Sequence, residues 1–151
     1  MKKIIALTAA SLFIITAFAA APGSKVIQAF NQTFPNAENV KWYDDKAGYF
    51  VSFYQDGNFE KVLYNKDGDF IFSWKYFSGK DLPTSVIMSL NKKYGESKIL
   101  GVTEVTSQEN VNYEIKISKG STLYSVTTLA DGKIVKEEKY NQAENNDAAE
   151  R

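Results

Sequence analysis

The chain of 151 residues contains no cysteine and no histidine. Without cysteine there is no disulfide, no lipoprotein anchor, no thiolate nucleophile and no cysteine metal site. Without histidine there is no Ser-His-Asp triad, no Cys-His pair, no zinc site of the usual kind and no histidine general base. An enzyme made from this chain would have to work with carboxylates, lysine, tyrosine or serine. A surplus of positive charge is missing as well, since Lys+Arg and Asp+Glu are both 18. Residues 1–19 hold Lys2 and Lys3 and no acid, so the remainder carries 16 basic and 18 acidic residues, a net of −2. That balance argues against nucleic acid, whose binding rests on clustered Lys and Arg at the phosphates. Nothing in the composition calls for a cofactor or a metal.

What is present begins with an export signal. Lys2 and Lys3 are followed by a mostly apolar stretch from Ile4 to Phe18, and Ala17-Phe18-Ala19 offers small residues where a signal peptidase reads. This pattern predicts a signal peptide over 1–19, cleaved after Ala19 or one or two residues later. The apolar stretch falls short of the ~20 residues of a spanning helix. No second such run follows, so the mature chain is expected to be soluble, with no stable membrane anchor, in the periplasm or secreted.

The rest of the chain repeats itself. Val26, Ile27, Phe30 and Phe34 mark one face of a helix that Pro35 stops. Val86, Ile87, Leu90 and Tyr94 repeat that spacing 60 residues later, after Pro83 at a first helical position and before a capping Gly95. Four β-rich stretches follow each helix, near 40–43, 49–54, 59–64 and 69–76, then near 99–105, 112–118, 122–129 and 133–140. Asp56-Gly57, Asp67-Gly68 and Asp131-Gly132 are hairpin signals. The predicted fold is α+β: two tandem α-β4 repeats, over 20–78 and 79–140, forming an eight-stranded antiparallel sheet. Its helices lie on one face, and the opposite face is open and able to be concave. Residues 141–151 are polar and are expected to be a disordered tail.

Phe34-Pro35-Asn36-Ala37 with Val40 and Trp42 resembles a known pattern, and Tyr49, Val51 and Phe53 with Asp56-Gly57 extend it. So do Tyr64-Asn65-Lys66-Asp67-Gly68 and Leu82-Pro83. The chain is similar to the PepSY-like, β-lactamase-inhibitor-like secreted bacterial proteins over nearly all of its mature length. The resemblance implies an eight-stranded sheet whose exposed face docks a protein, a β-lactamase in the inhibitor relatives. The second copy departs from the pattern, with Gly95-Glu96-Ser97 in place of Pro35-Asn36-Ala37 and no partner for Trp42.

Aromatics are unevenly shared between the copies. Thirteen lie between Trp42 and Phe77 and four lie beyond, although two equivalent repeats should need similar cores. Tyr49, Val51 and Phe53 alternate with Phe50, Ser52 and Tyr54, so both faces carry rings and only one face can meet the helix. Trp42, Tyr54, Trp74 and Tyr76 are therefore candidates for a partner-binding patch on the open face. The alternative is that these rings are cross-strand pairs that stiffen the sheet or cover an edge. Alternation puts Phe70, Phe72, Trp74 and Tyr76 on one side, while the match of Phe70 with Ile134 assigns Phe70 to the core.

No catalytic residues emerge. Asp44-Asp45 and Glu137-Glu138 are adjacent acids whose side chains point to opposite faces of a strand, so neither pair can flank a substrate. Asn65, Asp67 and Asp69 echo a calcium loop but lack its closing Glu, which leaves a turn. The expected function is non-enzymatic: docking an unknown protein partner of the cell envelope on the open face, with inhibition of an envelope or secreted enzyme as one form. The alternative is a small-ligand or glycan carrier using the same rings.

Overall fold

The computed structural model describes residues 21–141. The predicted signal peptide at 1–19 lies outside them, as do residues 142–151 of the predicted tail. The order helix then four strands occurs twice: α1 Ser24–Thr33, β1 Glu38–Asp44, β2 Gly48–Gln55, β3 Asn58–Asn65 and β4 Phe70–Phe77, followed by α2 Thr84–Tyr94, β5 Lys98–Ser107, β6 Val111–Lys119, β7 Thr122–Leu129 and β8 Ile134–Asn141. All eight strands form one antiparallel sheet in chain order. The expected α+β architecture of two α-β4 units on one open sheet is the architecture found.

The helices form where their apolar stripes require. Val26 and Phe30 of α1 are buried against Val51, Phe53, Val62 and Tyr64. Val86, Leu90 and Tyr94 of α2 are buried against Val102, Tyr113, Ile115, Ile117 and Val126. Each such side chain contributes about 1.5–3 kcal/mol on full burial. The residue before Pro35 is disfavoured from helical geometry, and α1 accordingly ends one residue earlier, at Thr33. Pro83 stands just outside α2 rather than at its first helical position, because its ψ of 142° is extended. Gly95, with φ 60°, closes α2 by donating its N–H to Asn91 O at 2.9 Å.

A tyrosine stands at the end of each helix. Tyr64 of β3 lies by Thr33 of α1, and its burial pushes the phenol up to about 12. Tyr94 of α2 donates to Glu137 of β8, which Lys93 also approaches at 2.5 Å. The start of each helix rests on a glycine turn. Gly68 and Gly132, with φ of 93° and 88°, sit under the first helical turn of α1 and α2 respectively. A side-chain carbon on Gly68 would come 3.0 Å from Lys25 O, and one on Gly132 would come 2.4 Å from Ser85 O. The helix therefore packs onto bare backbone at equivalent places in both repeats.

The two cores share no residue. Between them, on the helix side, lies a row of paired positions running Phe53, Glu60, Lys75, Glu104, Tyr113 and Thr128. Burial raises the Glu60 carboxyl above its ordinary value, opposed by the Lys75 ammonium and reinforced by Glu104 and Asp56. Backbone pairing of β4 with β5 joins the halves, together with Phe77 of β4, which is buried in the second core beside its partner Val102.

Two outcomes follow. Gly132→Ala should destabilise by several kcal/mol, since a clash with backbone adds to the roughly 1–2 kcal/mol of left-handed strain. Gly57→Ala, at φ 76° with nothing within 4 Å, should show the strain alone in urea unfolding. Glu60→Gln should raise Tm at pH 7. A raised folded-state value means the ionised carboxyl costs stability above that value, and the cost fades as pH falls towards 4.5. The gain from Glu60→Gln should accordingly shrink over the same range in thermal melts.

Candidate functional site

Antiparallel partners share a face, so the register assigns every strand residue to a side. Trp42, Val51 and Val62 pair across β1, β2 and β3 on the helix side. The neighbouring rows face away from the helices. Tyr43 pairs with Phe50, Phe50 with Leu63 and Leu63 with Phe72. Lys41 pairs with Ser52, Ser52 with Lys61 and Lys61 with Trp74. Tyr54 pairs with Phe59 and Phe59 with Tyr76.

Seven rings thus gather on the open face of the first repeat. Phe50 lies parallel to Trp74 at 5.7 Å and 9°, and edge-on to Phe72 at 5.8 Å. Phe72 meets Trp74 at 4.8 Å. Phe59 lies 5.2 Å from Tyr54 and 5.7 Å from Tyr76. These rings cover Leu63 and Ser52, which are 4% and 6% exposed although neither α1 nor α2 lies over them. At the rim Tyr43, Tyr54 and Tyr76 are exposed to 50%, 44% and 38%. Tyr43, Phe50, Phe59, Trp74, Ser52 and Lys61 line a shallow apolar hollow of about 360 Å³. A second hollow of about 310 Å³ lies on the other repeat, between Leu100, Leu123, Tyr140 and Lys116.

Three of the four residues singled out in the sequence, Tyr54, Trp74 and Tyr76, come together on this face. Trp42 does not join them. It packs edge-on against Phe30 at 5.3 Å in the first core, because it pairs with Val51 and so points to the helices. Phe70 is also separated from Phe72. Tyr64 pairs with Phe70 and Leu63 with Phe72, so a bulge around Ile71 breaks the alternation and turns Phe70 into the core. The expected common side of Phe70 with Phe72, Trp74 and Tyr76 is corrected accordingly, and the core assignment of Phe70 stands. Tyr43, Phe50, Phe59 and Phe72 belong to the cluster but were not singled out. Alternation did pair Phe50 with Tyr54, but the face of Tyr43 depends on where β1 enters register after the irregularity between Glu38 and Lys41.

The remaining sequence features have local roles. Asn65 Oδ1 accepts from the N–H groups of Asp67 and Asp69, both at 2.9 Å, and Asn65 Nδ2 donates to Asp69 Oδ2 at 2.9 Å. These atoms close the β3–β4 turn. Among the described residues no group of three or more acids is placed to hold a metal ion. Glu137 and Glu138 point to opposite sides: Lys93 and Tyr94 lower the first carboxyl, and Tyr140 and Lys136 lower the second.

No family model matches this chain, and no curated protein matches it either. Solved structures do. A candidate periplasmic protein of Bacteroides eggerthii superposes with a TM-score of 0.64 at 18% identity, over 79% of this chain and 89% of its own. A DUF2874 family protein of Bacteroides ovatus gives 0.64 at 20% identity, over 78% and 87%. A BLIP-like protein of Bacteroides fragilis gives 0.65 at 16% identity, over 80% and 87%. The chain therefore has the fold of the BLIP-like and DUF2874 proteins, an open eight-stranded sheet with two helices on one side. Among the described residues no helix is long and apolar enough to cross a membrane.

Rim and floor of the cluster should respond differently to substitution by the residue of the second repeat. Leu63→Thr, copying Thr127, removes a buried side chain and should cost about 2–4 kcal/mol. Tyr54→Ser, copying Ser118, should cost no more than about 1 kcal/mol. Paired urea melts measure both.

Proposed function

We propose that this is an exported, non-enzymatic binding protein that docks a protein partner on the open face of its first repeat. Inhibition of an envelope or secreted enzyme is one consequence such docking can have. The observation that carries this reading is the contrast between equivalent positions. Val51 pairs with Val62 as Ile115 pairs with Val126, and Leu63 pairs with Phe72 as Thr127 pairs with Lys136. With these equivalences, Phe50 corresponds to Glu114, Tyr54 to Ser118, Phe72 to Lys136 and Trp74 to Glu138. The second repeat builds the same four strands and the same bulge with charged and polar groups at these places, so the fold itself does not demand rings there. Large rings on an exposed sheet face are typical of protein interface anchors, because they bury much area at low entropy cost.

The signal peptide predicted at 1–19, the periplasmic description of one structural neighbour and the BLIP-like description of another support the same reading. So does the resemblance of short motifs such as Phe34-Pro35-Asn36-Ala37 to those of PepSY-like, β-lactamase-inhibitor-like proteins. Tyr54, Trp74 and Tyr76 are the proposed contact residues, and Trp42 is reassigned to the core. The 360 Å³ hollow favours a second reading, a carrier that stacks a small ligand or a glycan ring on the same aromatics.

The two readings separate in one comparison. Tagged wild-type protein and a Tyr54→Ser/Trp74→Glu variant, matched for folding by circular dichroism, are incubated with envelope extract. A protein held by the wild type, lost by the variant and bound again when purified supports docking. Equal retention by both forms removes the support for these residues. A saturable change in tryptophan emission on titrating a glycan panel would favour the carrier.

A further inference from the structure

The centre of the open face also differs between the repeats in how its cations are held, while Lys98 at the far end of β5 has no ion pair among the described residues. In the second repeat Lys136 pairs with Glu138 at 3.0 Å, and Lys116 donates to Ser125 Oγ at 2.7 Å. In the first repeat Lys41 has no ion pair among the described residues, and Lys61 Nζ sits 5.7 Å from the centre of the Phe59 ring with no carboxylate as partner. The corresponding positions are Gly101 and Ser125, so these lysines, like the rings around them, belong to the first repeat alone. On this face of β1 to β4 the only acid is Glu38, opposite Tyr54 at the far end of β1 beyond the irregularity.

We infer that this face takes an acidic segment of a protein partner, with carboxylates meeting Lys41 and Lys61 and an aromatic or aliphatic side chain seated in the hollow beside them. The inference rests on the docking reading above and adds the chemistry of the partner. Covering the rings would strip water from two unpaired ammonium groups, which is costly unless the partner supplies opposite charge. Lys41 and Lys61 flank Ser52, two strand spacings or roughly 10 Å apart, so two carboxylates can be met with an apolar anchor between them. Complementary charge of this kind also sets orientation and speeds encounter.

The test uses a Trp42→Phe background, in which Trp74 is the sole tryptophan. The probes are the peptide acetyl-Asp-Ala-Phe-Ala-Asp-amide, its analogue with lysine for aspartate, its analogue with alanine for phenylalanine, and phosphatidylglycerol vesicles. The expected result is a saturable change in Trp74 emission with the acidic aromatic peptide, about tenfold weaker with either analogue, and a preference that swaps to the basic peptide in Lys41→Glu/Lys61→Glu protein. Equal response to acidic and basic peptides, or a preference unchanged by the charge reversal, overturns the inference. Tighter binding to the vesicles than to the peptide overturns it in favour of an anionic lipid surface. A protein partner captured through Trp74 but retained in full by Lys41→Glu/Lys61→Glu protein overturns the acidic segment while leaving docking intact. Capture lost in that variant supports both.

Discussion

The hydrogen-bonded seam between β4 and β5 is the constraint on which the rest of the molecule depends. Six residue pairs, from Phe72 with Ser107 to Phe77 with Val102, hold the two repeats in one sheet. On the helix side of this seam Lys75 stands with Glu104 and Ser73 with Thr106, and at its end Phe77 pairs with Val102, both buried in the second core. Each helix therefore covers its own core, and the connection is carried by the backbone ladder together with Phe77 of β4, which is buried in the second core. Because the ladder is continuous, both helices fall on one side and the outer faces of both repeats merge into one surface.

That arrangement leaves a large sheet face that neither helix covers, and the two repeats manage it differently. The second repeat clothes part of it with charges, of which Lys136 and Glu138 pair, and part with Leu123 and Tyr140. The first clothes it with rings that pack over Leu63 and Ser52 and leave Tyr43, Tyr54 and Tyr76 projecting at the rim. Part of that cluster stabilises the sheet. Tyr43, Tyr54, Lys41 and Lys61, which the second repeat replaces with Thr103, Ser118, Gly101 and Ser125, are what the sheet does not need for itself.

Among the described residues both edges of the sheet are unpaired, since β1 and β8 each have one neighbour. β8 carries Lys136, Glu137, Glu138 and Lys139 in succession, which discourages pairing with another chain. β1 is interrupted between Glu38 and Lys41, where Asn39 has a φ of 55°, so only its second half presents a regular edge. The exposed breadth of the face, rather than its edges, is the surface available for recognition.

Residue order alone determined the element order, the two-fold repetition and the exclusion of cysteine and histidine chemistry, because periodicity, turn glycines and composition are local properties of a chain. The uneven sharing of aromatics was legible for the same reason, and so were Tyr54, Trp74 and Tyr76 as candidates. Which side each ring occupies was decided only by the tertiary structure. Alternation fixes relative sides within a strand but not which side meets a helix, and a single bulge reverses it. The bulge around Ile71 sends Phe70 into the core and Phe72 to the open face, and the pairing of Trp42 with Val51 buries an indole that composition alone would place outside. Register is set by contacts between distant residues, and no local pattern carries it.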